Sequence, residues 1–84
     1  VFDDPDISDP ARVRWSEELL RRRLASNVRS LREQRGISQE KAAELAEISP
    51  RKWQQVEAGE HNATLRTLLG LAIALEVDPA DLIS

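Results

Sequence analysis

The sequence predicts a compact all-α domain of five short helices behind an N-terminal extension. Two observations carry this. Ala, Leu, Glu and Arg dominate while aromatics make up 4%, a composition of helix formers. Apolar residues also recur at 3- and 4-residue spacing between capping residues, with connections of only a few residues. Eighty-four residues make one domain, and a chain this short buries a modest fraction of its surface, so its helices must pack closely.

Residues 1–15 read as an acidic arm, with Asp3, Asp4, Asp6 and Asp9 around Pro5. Two helix starts compete after it. Pro10 behind Asp9 suits a first helical position, and Ser16 followed by Glu17 and Glu18 makes an N-cap with a favourable acidic first turn. The local signals do not choose between them. Leu20, Leu24, Val28 and Leu31 then form one face, and Gly36 behind Arg35 ends the helix.

Ser38 caps a second helix over about 38–46, carrying Ala42, Ala43, Leu45 and Ala46. Ser49-Pro50 starts a third, over about 50–58, which Gly59 ends. The two are joined by a tight turn. Thr64 caps a fourth helix with Leu65, Leu68, Leu71, Ala72 and Leu75 as its expected core stripe, and Asp78-Pro79 opens a last short helix holding Leu82 and Ile83.

Composition excludes several chemistries. Without cysteine there is no disulfide framework and no thiolate metal site, which fits a cytoplasmic protein. His61 is the only histidine, so no histidine-based catalytic pair or metal cluster forms, and no glycine-rich phosphate loop is present. No catalytic residue, cofactor, metal or small-molecule effector is expected. No apolar run approaches the roughly 18 residues of a membrane span, and the acidic N-terminus is unlike a secretory leader. A chain that begins at Val1 and holds no Met reads as a trimmed product. Net charge is −3, but it is uneven: residues 19–66 carry ten Arg or Lys against six Glu, while both ends are acidic. The basic middle permits nucleic acid as a partner.

On a helical wheel of the third helix, Trp53, Val56 and the cap Ser49 fall on one side, and Arg51, Gln54 and Gln55 fall opposite, with Pro50 at the edge. A guanidinium and two primary amides suit base edges: Arg donates twice to guanine, and Gln pairs with adenine. Helix starts at Ser38-Gln39 and at Ser49 offer backbone amides to phosphates.

The ordered set Gly36-Ile37-Ser38-Gln39, Trp53-Gln54-Gln55-Val56-Glu57-Ala58-Gly59, His61-Asn62-Ala63-Thr64-Leu65, then Leu68, Leu71-Ala72, Leu75, Val77 and Leu82 resembles the phage repressor/Cro (XRE-type) helix-turn-helix family. The match covers roughly Leu24 to Ile83. The resemblance implies a lambda-repressor-like fold and a sequence-specific transcription regulator, not an enzyme, with double-stranded DNA as partner. It implies that Gln39 binds a phosphate, that Pro50, Arg51, Gln54 and Gln55 stand at base-reading positions, that His61 and Asn62 meet the DNA backbone, and that Arg32 and Glu57 form a structural salt bridge. Reuse of the fold as a protein-interaction module is the alternative.

Three departures from the family pattern bear on the structure. The turn glycine is Glu47, which a left-handed conformation would strain by about 1–2 kcal/mol, so a different turn shape is expected. Ala42 stands for a larger residue and Trp53 for a smaller one, a compensating exchange of core volume. Pro50 replaces a frequent base reader. Finally, Leu69 and Ile73 form a second apolar stripe on the fourth helix. With Ile83 they are expected to form a homodimer interface, so that two recognition helices read an inverted repeat. Coverage of that stripe by the N-terminal arm is the competing expectation.

Overall fold

A computed structural model describes residues 15–84. The acidic arm, apart from Trp15, and the start at Pro10 lie outside the described residues. Four α-helices follow one another: α1 (Glu17–Arg35), α2 (Gln39–Ala46), α3 (Pro50–Glu57) and α4 (Leu65–Leu75). The chain closes with a 3-10 helix, Pro79–Leu82. The fold is all-α, but the expected fifth α-helix is this single tight turn. Four residues support only i→i+3 bonds, from Asp81 N to Asp78 O and from Ile83 N to Ala80 O.

Each element begins at a side-chain cap. Ser16 accepts from Leu19 N, Ser38 from Lys41 N, Ser49 from Lys52 N, Thr64 from Thr67 N and Asp78 from Ala80 N. Helix ends are equally local. Gly36 takes the left-handed conformation at φ 68°, and its N–H returns to the last turn of α1. Glu47 does the same at φ 59°, ψ 41°, so the expected change in turn shape does not occur. Bonds from Glu47 N to Glu44 O and from Ile48 N to Ala43 O hold it there, and Ile48 packs on the core behind it. Glu76 repeats the arrangement at the end of α4.

The core gathers Leu24 and Val28 from α1, Ala42, Ala43 and Ala46 from α2, Trp53 and Val56 from α3, Leu71, Ala72, Ala74 and Leu75 from α4, and Leu82. Trp53 is its largest fully buried side chain, set beside the small alanines of α2. α2 lies close against α4: a Cβ on Gly70 would stand 2.7 Å from the Ala46 carbonyl oxygen, so hydrogen is the only substituent that fits.

α4 is rotated from its expected orientation. The spacing predicts Leu65 in the core stripe, yet it is 84% exposed, while Thr67 and Ala74 are buried. The inward arc is shifted by roughly 40° at 3.6 residues per turn. The reason is the breadth of the apolar arc on this helix: Leu65, Leu68, Leu69, Leu71, Ile73 and Leu75 spread over roughly 200° of the wheel, so periodicity alone does not fix the phase. Leu20, placed on the buried face of α1, is likewise exposed at the mouth of a cleft.

Candidate nucleic-acid interface

α3 divides cleanly. Trp53, Val56 and Glu57 are buried; Pro50, Arg51 and Gln54 are exposed; Gln55 and Lys52 are half-buried at the margins. The turn at Glu47-Ile48 delivers α3 directly behind α2, with the caps Ser38 and Ser49 both exposed. At α3, Ser49 Oγ receives Lys52 N and Ser49 O receives Trp53 N, and Pro50 has no N–H. The Arg51 amide is therefore the one donor of the first turn of α3 without an intrahelical acceptor. At α2 the Gln39 and Glu40 amides stand in the same position. Among the described residues, Arg51, Lys52 and Arg66 make no ion pair. An outward arc with a guanidinium and two amides, flanked by unpaired cations, presents donors to an anionic, hydrogen-bonding surface.

This arc is held by a buried carboxylate. Glu57 is 6% exposed. Its Oε2 accepts from Arg32 Nε at 2.6 Å and Trp53 Nε1 at 2.5 Å, and its Oε1 accepts from Arg32 Nη2 at 3.1 Å and Gln39 Nε2 at 3.0 Å. Arg29 Nε adds a longer ion pair at 3.6 Å. Arg32 also donates to the Ile37 carbonyl, so one guanidinium joins α1, the α1–α2 connection and α3. Burial pushes the Glu57 carboxyl up, but hydrogen bonds from Arg32, Trp53 and Gln39 outweigh it and hold the group below the usual carboxylate range. The carboxylate is thus ionised and fully engaged, and fixes the rotation of α3 about its axis. Sequence reading did not find the Trp53 and Gln39 contacts. The signal was present for Trp53: Glu57 stands four residues on, and a buried indole N–H needs an acceptor.

The remaining site candidates lie apart. Asn62 accepts from Arg21 Nη1 at 3.1 Å and donates to Glu17 Oε1 at 3.2 Å, which pins the loop after α3 to the start of α1. His61 is half-buried, with its Nε2 shielded from solvent. Both side chains are turned toward α1 rather than outward beside Arg51. Leu69 and Ile73 are 55% and 60% exposed, and Leu65 joins them on the same face. Leu69 and Ile73 border a groove with Leu45, Ile48, Lys52 and Arg66. Ile83 does not join this face; it lines a different cleft with Leu20, Leu24 and Leu68. Among the described residues no helix is long and apolar enough to cross a membrane.

A family model described as a helix-turn-helix domain matches residues 23–82. Among solved structures, the restriction–modification controller protein C.AhdI from Aeromonas hydrophila is similar at 34% identity over 74% of this chain and 94% of its own, with a TM-score of 0.72. An HTH_3 family transcriptional regulator from Vibrio cholerae matches at 28% identity and TM-score 0.76, over 80% of this chain and 38% of its own. The clp gene regulator ClgR from C. glutamicum matches at 28% identity and TM-score 0.70, over 75% of this chain and 82% of its own. No curated protein is a significant match. With its capped α2–turn–α3 pair and the family model covering most of its length, the chain belongs to the helix-turn-helix family of phage repressor/Cro (XRE) type, and is a DNA-binding transcription regulator rather than an enzyme.

Proposed function

We propose that α3 is the recognition helix, and that it enters the major groove with Arg51, Gln54 and Gln55 toward base edges. The observation that carries this reading is the outward arc itself: the Arg51 and Gln54 side chains are exposed on a helix whose opposite side is locked by Glu57. The dimensions agree, since the major groove admits one α-helix and the first residues of the second helix of the motif reach the bases. Phosphates are held by the open amides at Gln39 and Arg51, with the Ser49 hydroxyl beside them and Lys52 and Arg66 as flanking cations. Pro50 packs its ring near the backbone without donating. His61 and Asn62 support the DNA-facing loop through its backbone, the Asn62 side chain being held by Arg21 and Glu17 of α1. The regulator is divided into an acidic arm, residues 1–15, and the DNA-binding domain, residues 16–84.

The same reading makes the protein a homodimer on an inverted repeat. An exposed apolar stripe of Leu65, Leu69 and Ile73 fits a self-complementary contact. Half-sites one turn of duplex apart call for recognition helices about 34–36 Å apart, a spacing that the proposed twofold dimer through α4 would have to meet. Ile83 is left out of this interface, because it opens onto another cleft.

The test is Arg51→Ala, measured by fluorescence anisotropy on a selected operator and on its single-base variants. A base contact predicts a loss of about 1–3 kcal/mol that vanishes when the contacted base is changed. An equal loss on every sequence reassigns Arg51 to a phosphate, and an unchanged affinity overturns the proposal.

A further inference from the structure

Glu57 attracts one more cation than it can bond. A carboxylate offers about four lone-pair sites, and those of Glu57 are filled by Arg32, Trp53 and Gln39. Arg29 Nε stands 3.6 Å from Glu57 Oε1, too far for a hydrogen bond, and the Arg29 side chain is 57% exposed. Glu33, four residues on and bordering the same polar cleft, does not pair with it. Among the described residues the donors of this guanidinium are therefore unused. Arg22, two turns earlier on the same face of α1, differs: it pairs with Glu18 at 2.6 Å. The place of Arg29 is set by the network around Glu57. Gln39 Nε2 lies 3.0 Å from the same Oε1, so the free guanidinium stands beside the residue that opens α2. The backbone amides of Gln39 and Glu40 are open there.

We propose that Arg29 binds a backbone phosphate of the DNA strand held at the start of α2, so that α1 takes part in the contact. This rests on the reading of α3 as the recognition helix. The planar fork of arginine suits two phosphate oxygens. Glu57 holds the guanidinium by charge without consuming its donors, so the group is in position before DNA arrives. A phosphate contact carries no base information: it adds affinity on every sequence and fixes the register and orientation of the domain on the duplex.

The experiment measures salt dependence. Wild type, Arg29→Gln, Arg29→Lys and Arg22→Gln are titrated by fluorescence anisotropy onto the selected operator and onto a random-sequence duplex. One phosphate contact contributes about 0.9 to the slope of log K against log salt. Arg29→Gln lowers the slope by about that amount on both duplexes, with binding roughly five- to tenfold weaker at about 0.1 M salt. Arg29→Lys keeps the slope, because the charge remains. Arg22→Gln removes the same charge two turns away and leaves the slope near that of wild type. An unchanged slope in Arg29→Gln overturns the proposal. So does an equal fall in Arg22→Gln, which reports net charge alone, or a loss confined to the operator, which reports base contacts instead. Arg51→Ala, run alongside, separates this proposal from the reading it rests on. If Arg51→Ala weakens binding while Arg29→Gln does not, only the phosphate contact falls; if both bind like wild type, the assignment of the recognition helix falls as well.

Discussion

Glu57→Gln isolates the force that orients the recognition helix. The substitution preserves shape and removes the charge. Glu57 now receives four hydrogen bonds, two on each oxygen. A glutamine keeps one oxygen and turns an NH₂ toward the other two donors. Hydrogen bonds to charged groups contribute about 1.5–3 kcal/mol each, so losing two removes roughly 3–6 kcal/mol. Partial hydration of Arg32, whose side chain is 14% exposed, reduces this to about 3 kcal/mol. That is a large part of a total of about 5–10 kcal/mol for a domain of this size. Urea denaturation of the two proteins at neutral pH measures the difference, and a loss below about 1 kcal/mol refutes the argument. The pH dependence gives a second check. Because the folded carboxyl is held below its unfolded value, its contribution is complete above about pH 4.3 and is lost as pH falls toward the depressed folded value. The gap between wild type and Glu57→Gln therefore narrows in acid. A gap constant from pH 6 to pH 3 contradicts the assignment.

Two further outcomes follow from the backbone and the surface. Glu47→Gly relieves the left-handed conformation between α2 and α3 and raises stability by about 1 kcal/mol in thermal or urea unfolding, with binding to DNA preserved; a loss of stability refutes the strain at φ 59°. Leu69→Glu places a charge in the exposed stripe of α4 and shifts sedimentation equilibrium from dimer to monomer without loss of helical signal; a wild type that is monomeric at high micromolar concentration removes the dimer.

The capping chemistry was legible because it is local. Ser16, Ser38, Ser49, Thr64 and Asp78 each satisfy an amide two or three residues on, so the sequence carries the whole interaction. The division of α3 was legible for a similar reason: in eight residues, only Trp53 and Val56 are large and apolar at helical spacing. What periodicity did not determine was the phase of α4, where Leu65, Leu68, Leu69, Leu71, Ile73 and Leu75 spread over roughly 200° of the wheel and the close approach of Gly70 to Ala46 selects the rotation. Glu47 in a left-handed turn was also unreadable locally, since the bonds and the Ile48 packing that hold it belong to the fold. His61 and Asn62 show the same limit at the site. Their loop position suggested solvent and phosphate, but Arg21 and Glu17, more than forty residues earlier, turn Asn62 inward.

The central claim is that the outward side of α3 and the start of α2 meet DNA. An NMR titration of the labelled chain with a duplex containing its selected site tests it most directly. The account predicts the largest amide and side-chain shifts at Gln39, Ser49, Arg51, Gln54 and Gln55, weakening steeply as salt rises because phosphate neutralisation releases counterions. Shifts that leave α3 untouched and gather on the Leu65–Ile73 face, or a response indifferent to salt, contradict it.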